Sequence, residues 1–295
     1  MIGHFQPWLL ATRPKTLPAA IAPVLVASAM AWAHGGYQPL LALVCLLFAL
    51  LIQIGTNFAN DYLDGIKGAD TPQRLGPQRA VATGLISAAK MRRASIGVLV
   101  LAFCLGLSLI PAGGWGLLVV GVLSVLCAWA YTGGPYPLAY NGLGDLFVVL
   151  FFGLVAVGCT FYVQVGTVYM EVCLLGLALG LLINNLLVVN NYRDVDEDRR
   201  HAKCTLVVSL GRPWALAQYA LSSLIALGVT FYLWWIAYGD WVLLACGPLF
   251  YSLLQVKRLR CAVTADEFDG CLKSAALVVV GYALILSLAI VGSNL

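Results

Sequence analysis

Pro39-Leu-Leu-Ala-Leu-Val-Cys-Leu-Leu-Phe-Ala-Leu-Leu-Ile-Gln-Ile-Gly-Thr-Asn57-Phe-Ala-Asn60-Asp61-Tyr-Leu-Asp64 begins as an unbroken apolar run and closes on amides and acids. An uncharged run of about 20 residues is long enough for a helix to cross a bilayer. It lacks the alternation of a membrane barrel strand. Asn60 and Asp64 are four residues apart, so both project from one face of that helix. The pattern returns at Asn190-Asn191-Tyr-Arg193-Asp194-Val-Asp196-Glu197-Asp198, again at the end of an apolar run, with Asp194 and Asp198 four apart. Of thirteen acidic residues, three fall at 61, 64 and 70 and four between 194 and 198. Carboxylates so concentrated beside an apolar span call for cations. Oxygen ligands of this kind suit Mg²⁺ carrying a substrate phosphate.

The remainder of the chain agrees with a membrane setting. Of 295 residues, 61% are hydrophobic and 10% charged, against about 25% charged in soluble domains. Apolar runs at 17–34, 39–62, 91–110, 114–131, 143–164, 169–192, 214–238, 240–256 and 273–293 predict an all-α integral membrane protein. About nine transmembrane helices would bundle around a central cavity, in a single domain over residues 1–295. Cysteines at 45, 104, 127, 159, 173, 204, 246, 261 and 271 show no C-x-x-C spacing, which argues against a disulfide framework or a thiolate metal site. The amino terminus resembles a first span and not a cleaved leader. Trp234, Trp235 and Trp241 read as an interfacial belt.

On this assignment all seventeen Lys and Arg residues fall on one side, in the segment before 17 and in the connections near 67–93, 193–212 and 257–273. The positive-inside rule makes that side cytoplasmic, with the amino terminus in and the carboxyl terminus out. Both acidic clusters share this side. The parallel placement of the two apolar runs that end in them suggests an internal duplication. The net charge of +4 belongs to this face and gives no reason to expect a nucleic-acid partner.

An aspartate at a helix end costs less than one at the bilayer centre, where scales give about +3 kcal/mol. The clusters are therefore expected at the membrane boundary in a cavity open to water. Their oxygens would hold two Mg²⁺ ions, and the ions a diphosphate. Lys67, Arg79, Arg199 and Lys203 would neutralise its remaining charge. Ionisation of an allylic diphosphate requires such a site, because the leaving group departs with two or three negative charges. A solvated charge cluster and a divalent-cation transporter are the competing readings. A transporter site belongs near the midplane on broken helices, whereas these acids end helices beside basic loops, which repel a bare cation. His201 reads as a loop histidine, and Asp266-Glu-Phe-Asp269 as surface charge.

Asn60-Asp61-x-x-Asp64 with Asp70, and Asn190-Asn191-Tyr-Arg193-Asp194-x-x-x-Asp198-x-x-x-x-Lys203-x-Thr205, resemble the two signature motifs of the UbiA superfamily of intramembrane prenyltransferases. Arg13-Pro-Lys15-Thr-Leu-Pro18, Gly76-Pro77-x-Arg79, Val81-Ala-Thr-Gly84, Tyr131-Thr-Gly-Gly and Gly142-Leu-Gly-Asp145 resemble the branch that prenylates 1,4-dihydroxy-2-naphthoate. The first motif departs from the common pattern: Gly68 stands at its last acidic position, and Asp70 follows two residues later.

The resemblance implies that a polyprenyl group passes from its diphosphate to dihydroxynaphthoate, with loss of CO₂ and diphosphate, in menaquinone biosynthesis at the cytoplasmic (inner) membrane. Homogentisate as acceptor, or phytyl transfer in phylloquinone synthesis, is the alternative within the superfamily. Carried over by position, Asn60, Asp64, Asp194 and Asp198 would bind Mg²⁺, with Asp70, Asn190 and Asn191 in support. Arg13, Lys67, Arg79, Arg199 and Lys203 would bind diphosphate. Asp61, Tyr131 and Asp145 would act in catalysis, Tyr131 near the nascent carbocation and Asp145 near the aromatic acceptor. Prenyl length and oligomeric state are left open.

Overall fold

The computed structural model describes residues 6–68, 76 and 79–293, and among them every regular element is helical. In chain order these are α1 (Gln6–Ala11), α2 (Pro18–Ala33), α3 (Pro39–Lys67), α4 (Ala88–Leu107), α5 (Gly116–Ala130), α6 (Gly144–Val165), α7 (Met170–Arg200), α8 (Leu206–Leu210), α9 (Arg212–Trp235), α10 (Asp240–Cys261) and α11 (Ala265–Gly292). Local chemistry sets several boundaries. Pro18 and Pro39 open α2 and α3, where a missing N–H costs nothing. Gly68 and Gly166 close α3 and α6 in the left-handed conformation, at φ 68° and 85°. Thr264 and Glu267 form a capping box at the start of α11.

Among the described residues, six helices are long and apolar enough to span a membrane: α3, α6, α7, α9, α10 and α11. A seventh forms if the bent pair α1–α2 counts as one span. α5 has 15 residues, and α4 carries Lys90, Arg92 and Arg93 in its first two turns. α3 and α7 outrun their expected ends at 62 and 192, continuing as helix to Lys67 and Arg200. Their acidic turns face a protein cavity and not lipid, so hydropathy marked the boundary too early. α1 and α8 have no counterpart among the expected elements.

α7 is the axis of the bundle. It joins α2, α9, α10 and α11 in the main apolar core, which holds Leu175, Leu179, Leu182, Tyr219, Leu249 and Tyr282 fully buried. α3 and α4 pack on each other through Gly55, whose missing Cβ makes room for Leu99, and through Ser95 Oγ donating to Gly55 O at 2.9 Å. α5 has only Ser124 and Ala128 buried, and its Leu117, Val120 and Cys127 line the central cavity.

α6 is irregular in a way that serves this layout. Residues Val149–Val155 form a π turn, which shifts the side-chain register of the helix. Phe147, Phe151 and Phe152 thereby reach the space between α3, α5 and α7. At the same level Gly153 of α6 meets Gly176 and Gly180 of α7 backbone to backbone, the small-residue crossing familiar in membrane bundles. A Cβ on Gly153 would lie 2.5 Å from Gly176 O, and one on Gly180 2.7 Å from Val149 O. Gly180→Val is expected to destabilise the protein by about 3 kcal/mol, because rigid backbone cannot yield to the added atoms. Thermal unfolding in detergent checks this, with Gly158→Ala, where a Cβ meets nothing within 4 Å, as the tolerated control.

Candidate active site

A cavity of about 470 Å³ runs between the two halves of the bundle. α3 lines it from Cys45 to Asp64, a stretch of twenty residues and therefore roughly 28 Å of helix between the two. Toward Cys45, Leu117 and Val163 the wall is apolar. Toward Asp64, Tyr131 and Asp198 it is densely charged. The two acidic helix ends meet there: Asn60, Asp61 and Asp64 from α3 face Asn190, Asn191, Asp194 and Asp198 from α7. Tyr131, Asp145, Arg13, Arg79 and Lys203 line the same cavity. Lys67 and Arg199 do not line it, and both are exposed. Asp70 lies outside the described residues.

Each acid has defined partners. Asp64 Oδ1 accepts from Tyr140 Oη at 2.8 Å. Asp198 Oδ1 accepts from Lys203 Nζ at 3.1 Å. Asp194 receives Arg193 through both oxygens, from Nε at 2.6 Å and Nη2 at 2.9 Å, with both side chains buried. Asn60 accepts from the Arg13 guanidinium and donates to Thr132 Oγ1 at 2.8 Å. Arg13 sits at φ 52°, a conformation costing a non-glycine residue roughly 1–2 kcal/mol. Asn57 Nδ2 pins this segment to α3 through Thr12 O at 2.9 Å, and Gln53 Nε2 through Thr16 Oγ1 at 3.1 Å.

Asp61 is used differently from its neighbours. Its two oxygens accept the backbone N–H groups of Ala80 and Val81, at 3.1 and 3.0 Å. It therefore anchors the loop that carries Arg79 over the cavity. Tyr140 performs a similar task on the other loop: Cys204 N donates to Tyr140 O at 2.9 Å, and the ring lies under Lys67 Nζ at 4.3 Å. Lys67 also donates to Thr132 O at 2.6 Å, so its charge supports the rim. A tyrosine phenol ordinarily titrates at about pH 10. Tyr131 accordingly stays protonated at physiological pH and presents a neutral ring.

Arg193, Thr132 and Lys15 join the site without a role having been assigned to them from sequence. Arg193 had a signal: it lies three residues after Asn190 and four before Glu197, on their face of the helix. Glu197 and His201 complete this cavity-facing row. Lys15 lines the cavity and pairs with Asp269 of α11, which also holds Lys273 at 2.9 Å.

The donor set fits Mg²⁺ bearing phosphate. Among the described residues, six carboxylates (Asp61, Asp64, Asp145, Asp194, Glu197, Asp198) and five cationic side chains (Arg13, Lys15, Arg79, Arg193, Lys203) line the cavity, a formal charge near minus one. A diphosphate would add charge of the same sign unless divalent cations accompanied it. Among the described residues, no three acidic, histidine or cysteine side chains converge into a ready-made metal site. Mg²⁺ takes one or two carboxylates and completes its shell with water and substrate phosphate.

Fold and site together define a helical membrane protein with a cavity that joins a densely charged end to an apolar channel. The chain belongs to the UbiA prenyltransferase family, whose sequence profile matches residues 20–269. It is 40% identical over 257 residues to the 1,4-dihydroxy-2-naphthoate octaprenyltransferase of Escherichia coli K12, covering 84% of this chain and 83% of that one. It is 41% identical over 211 residues to the enzyme of that name from Mycobacterium tuberculosis H37Rv, covering 71% and 72%. Among solved structures, a UbiA homolog from Aeropyrum pernix K1 superposes with a TM-score of 0.69 over 95% of this chain and 97% of that one, at 16% identity. A homolog from Archaeoglobus fulgidus bound to DMAPP and Mg²⁺ gives 0.62 over 95% and 99%, also at 16% identity.

Proposed function

We propose that this protein transfers a polyprenyl group from its diphosphate to 1,4-dihydroxy-2-naphthoate, releasing diphosphate and CO₂ and giving demethylmenaquinol in menaquinone biosynthesis. The observation that carries this reading is a cavity that is charged where α3 and α7 end and apolar beyond. A diphosphate with a long hydrocarbon tail has that same division. The relatives' names supply the acceptor.

In this reading Asn60, Asp64, Asp194 and Asp198 would hold two Mg²⁺ ions, which when bound would neutralise charge on the diphosphate. Arg13, Arg79 and Lys203 contact its outer oxygens, with Arg193 and Lys15 adding positive potential from the wall. Asn190 and Asn191 offer amide groups along the same face of α7. Asp61 acts by fixing the Arg79 loop. Tyr131 lies within electrostatic range of Asp145, Arg13, Asp64 and Asp198. Its neutral ring is placed to stabilise positive charge on the allylic carbon through its quadrupole. The apolar channel keeps water from that carbon and leaves the acceptor ring as the available nucleophile. The basic loops support a cytoplasmic position for the site and the amino terminus.

The test is product formation by purified protein in detergent with polyprenyl diphosphate and a panel of acceptors, with Mg²⁺ or with EDTA. A decarboxylated, prenylated naphthoquinol that EDTA abolishes and Mg²⁺ restores is the expected result. Product from homogentisate and none from the naphthoate would move the protein to another branch. No diphosphate release with any acceptor would favour a transporter.

A further inference from the structure

Beyond the diphosphate end, one wall of the cavity carries a polar cluster that the leaving-group chemistry does not use. Asp145 sits in the first turn of α6 and lines the cavity. Its Oδ1 accepts from Asn184 Nδ2 of α7 at 2.9 Å and from Gln218 Nε2 of α9 at 2.7 Å. Among the described residues, Asn184 Oδ1 and Gln218 Oε1 are buried without a hydrogen-bond partner. Both amides have thus turned their NH₂ groups onto one carboxylate oxygen and left their carbonyl oxygens unsatisfied. The reverse orientation would set a carbonyl oxygen against a carboxylate oxygen, so an anionic Asp145 favours the arrangement seen. Both donors fall on Oδ1, and among the described residues Oδ2 of this cavity-lining carboxylate accepts no hydrogen bond. Beside it, a Cβ on Gly144 would come within 3.1 Å of Tyr131 Oη and 3.5 Å of Leu187, so glycine keeps this approach open.

We propose that Asp145 is the docking point for a hydroxyl of the aromatic acceptor, and that Asn184 and Gln218 are its positioning residues. This deepens the acceptor reading above and rests on it. The cationic side chains near Arg13 and Arg193 attract the acceptor's carboxylate, while Asp145 repels it. The ring is therefore turned with its carboxylate toward the diphosphate end and its opposite edge toward Asp145. In 1,4-dihydroxy-2-naphthoate the 1-hydroxyl closes an internal hydrogen bond to the adjacent carboxylate. The 4-hydroxyl is free to donate, and Oδ2 accepts it. The same bond pushes electron density into the ring that attacks the allylic carbon. Asn184 and Gln218 do not touch substrate; they fix the carboxylate.

Equilibrium binding of 1,4-dihydroxy-2-naphthoate and of 1-hydroxy-2-naphthoate, which lacks the 4-hydroxyl, tests this on the full protein in detergent. Wild type is expected to favour the dihydroxy compound about tenfold or more, the value of a charge-assisted hydrogen bond. Asp145→Asn and Gln218→Met should bring the ratio toward one while the KM for polyprenyl diphosphate stays within about twofold of wild type. Asn184→Leu serves if Gln218→Met does not fold. A ratio unchanged in these variants overturns the proposal. So does a parallel loss of affinity for both naphthoates and for polyprenyl diphosphate, which marks a purely structural cluster. If wild type binds homogentisate and neither naphthoate, the acceptor reading itself is wrong and this inference falls with it.

Discussion

Asp64→Ala is expected to lower kcat by about a thousandfold or more, in protein that purifies as a folded helical bundle. Asp64 stands where the leaving group's charge must be met, on the wall opposite Asp194 and Asp198. Its carboxylate accepts a bond from Tyr140, and its loss would leave a phenol beside open, polar space and not inside apolar packing. α3 is retained by its contacts with α4, α2 and α5, none of which involves this carboxylate. Diphosphate release and circular dichroism on the same preparation separate the two effects. Asp61→Ala is the informative comparison, three residues away. It removes the acceptor for Ala80 and Val81 N–H and should loosen the Arg79 loop, raising KM for the diphosphate more than it lowers kcat. Near-normal turnover in Asp64→Ala would remove the metal assignment on the α3 side.

The contrast between Asp61 and Asp64 shows what could be read from sequence. Spacing put Asn60 and Asp64 on one helical face, and both line the cavity. Asp61 shares the motif, yet its partners are two backbone N–H groups about twenty residues on, in a loop whose path no local pattern reveals. Lys67 and Arg199 illustrate the opposite error. Each follows an acidic cluster closely, but Arg199 is about 100° around the helix from Asp198 and points outward. Lys67 turns to Thr132 O and the Tyr140 ring. Proximity in sequence supplies charge to a region, while only the helix face supplies direction. Arg193 was legible by that criterion.

Hydropathy located the apolar segments because burial in lipid and burial in protein demand the same residues. It says nothing about where a helix continues along a polar cavity, so the last turns of α3 and α7 lay beyond the expected ends. The π turn in α6 was hidden for another reason. Its consequence, three phenylalanines aimed into the channel, depends on the register against α7, which the Gly153–Gly176–Gly180 crossing sets. Asp145 was placed near the acceptor by resemblance, but its two amide donors come from helices 39 and 73 residues away in sequence. The site was therefore legible where one helix presents it and obscure where tertiary contact assembles it.

Asp194 should couple stability to catalysis in a way that Asp64 does not. Its carboxylate and the Arg193 guanidinium form a bidentate pair with side chains only 7% and 3% exposed. Asp194→Ala would leave that guanidinium buried without its main counter-charge, at a cost of about 3–5 kcal/mol. The variant should lose turnover and also unfold at clearly lower temperature in detergent. Asp194→Asn keeps the shape and one acceptor oxygen, so it should recover part of the stability and none of the activity. Arg193→Leu combined with Asp194→Leu removes both charges, and such replacements of a buried pair are commonly neutral or better. The double variant should be inactive yet more stable than Asp194→Ala. That order of stabilities, double variant above single, is the signature of an uncompensated buried charge. If Asp194→Ala melted with the wild type, the pair would contribute nothing to the fold and Arg193 would be free to serve the diphosphate directly. If the double variant were no more stable than the single, the loss would come from the cavity left behind. The expected order assigns Arg193 a second function, holding Asp194 in place between turnovers while adding to the positive wall on which the leaving group depends.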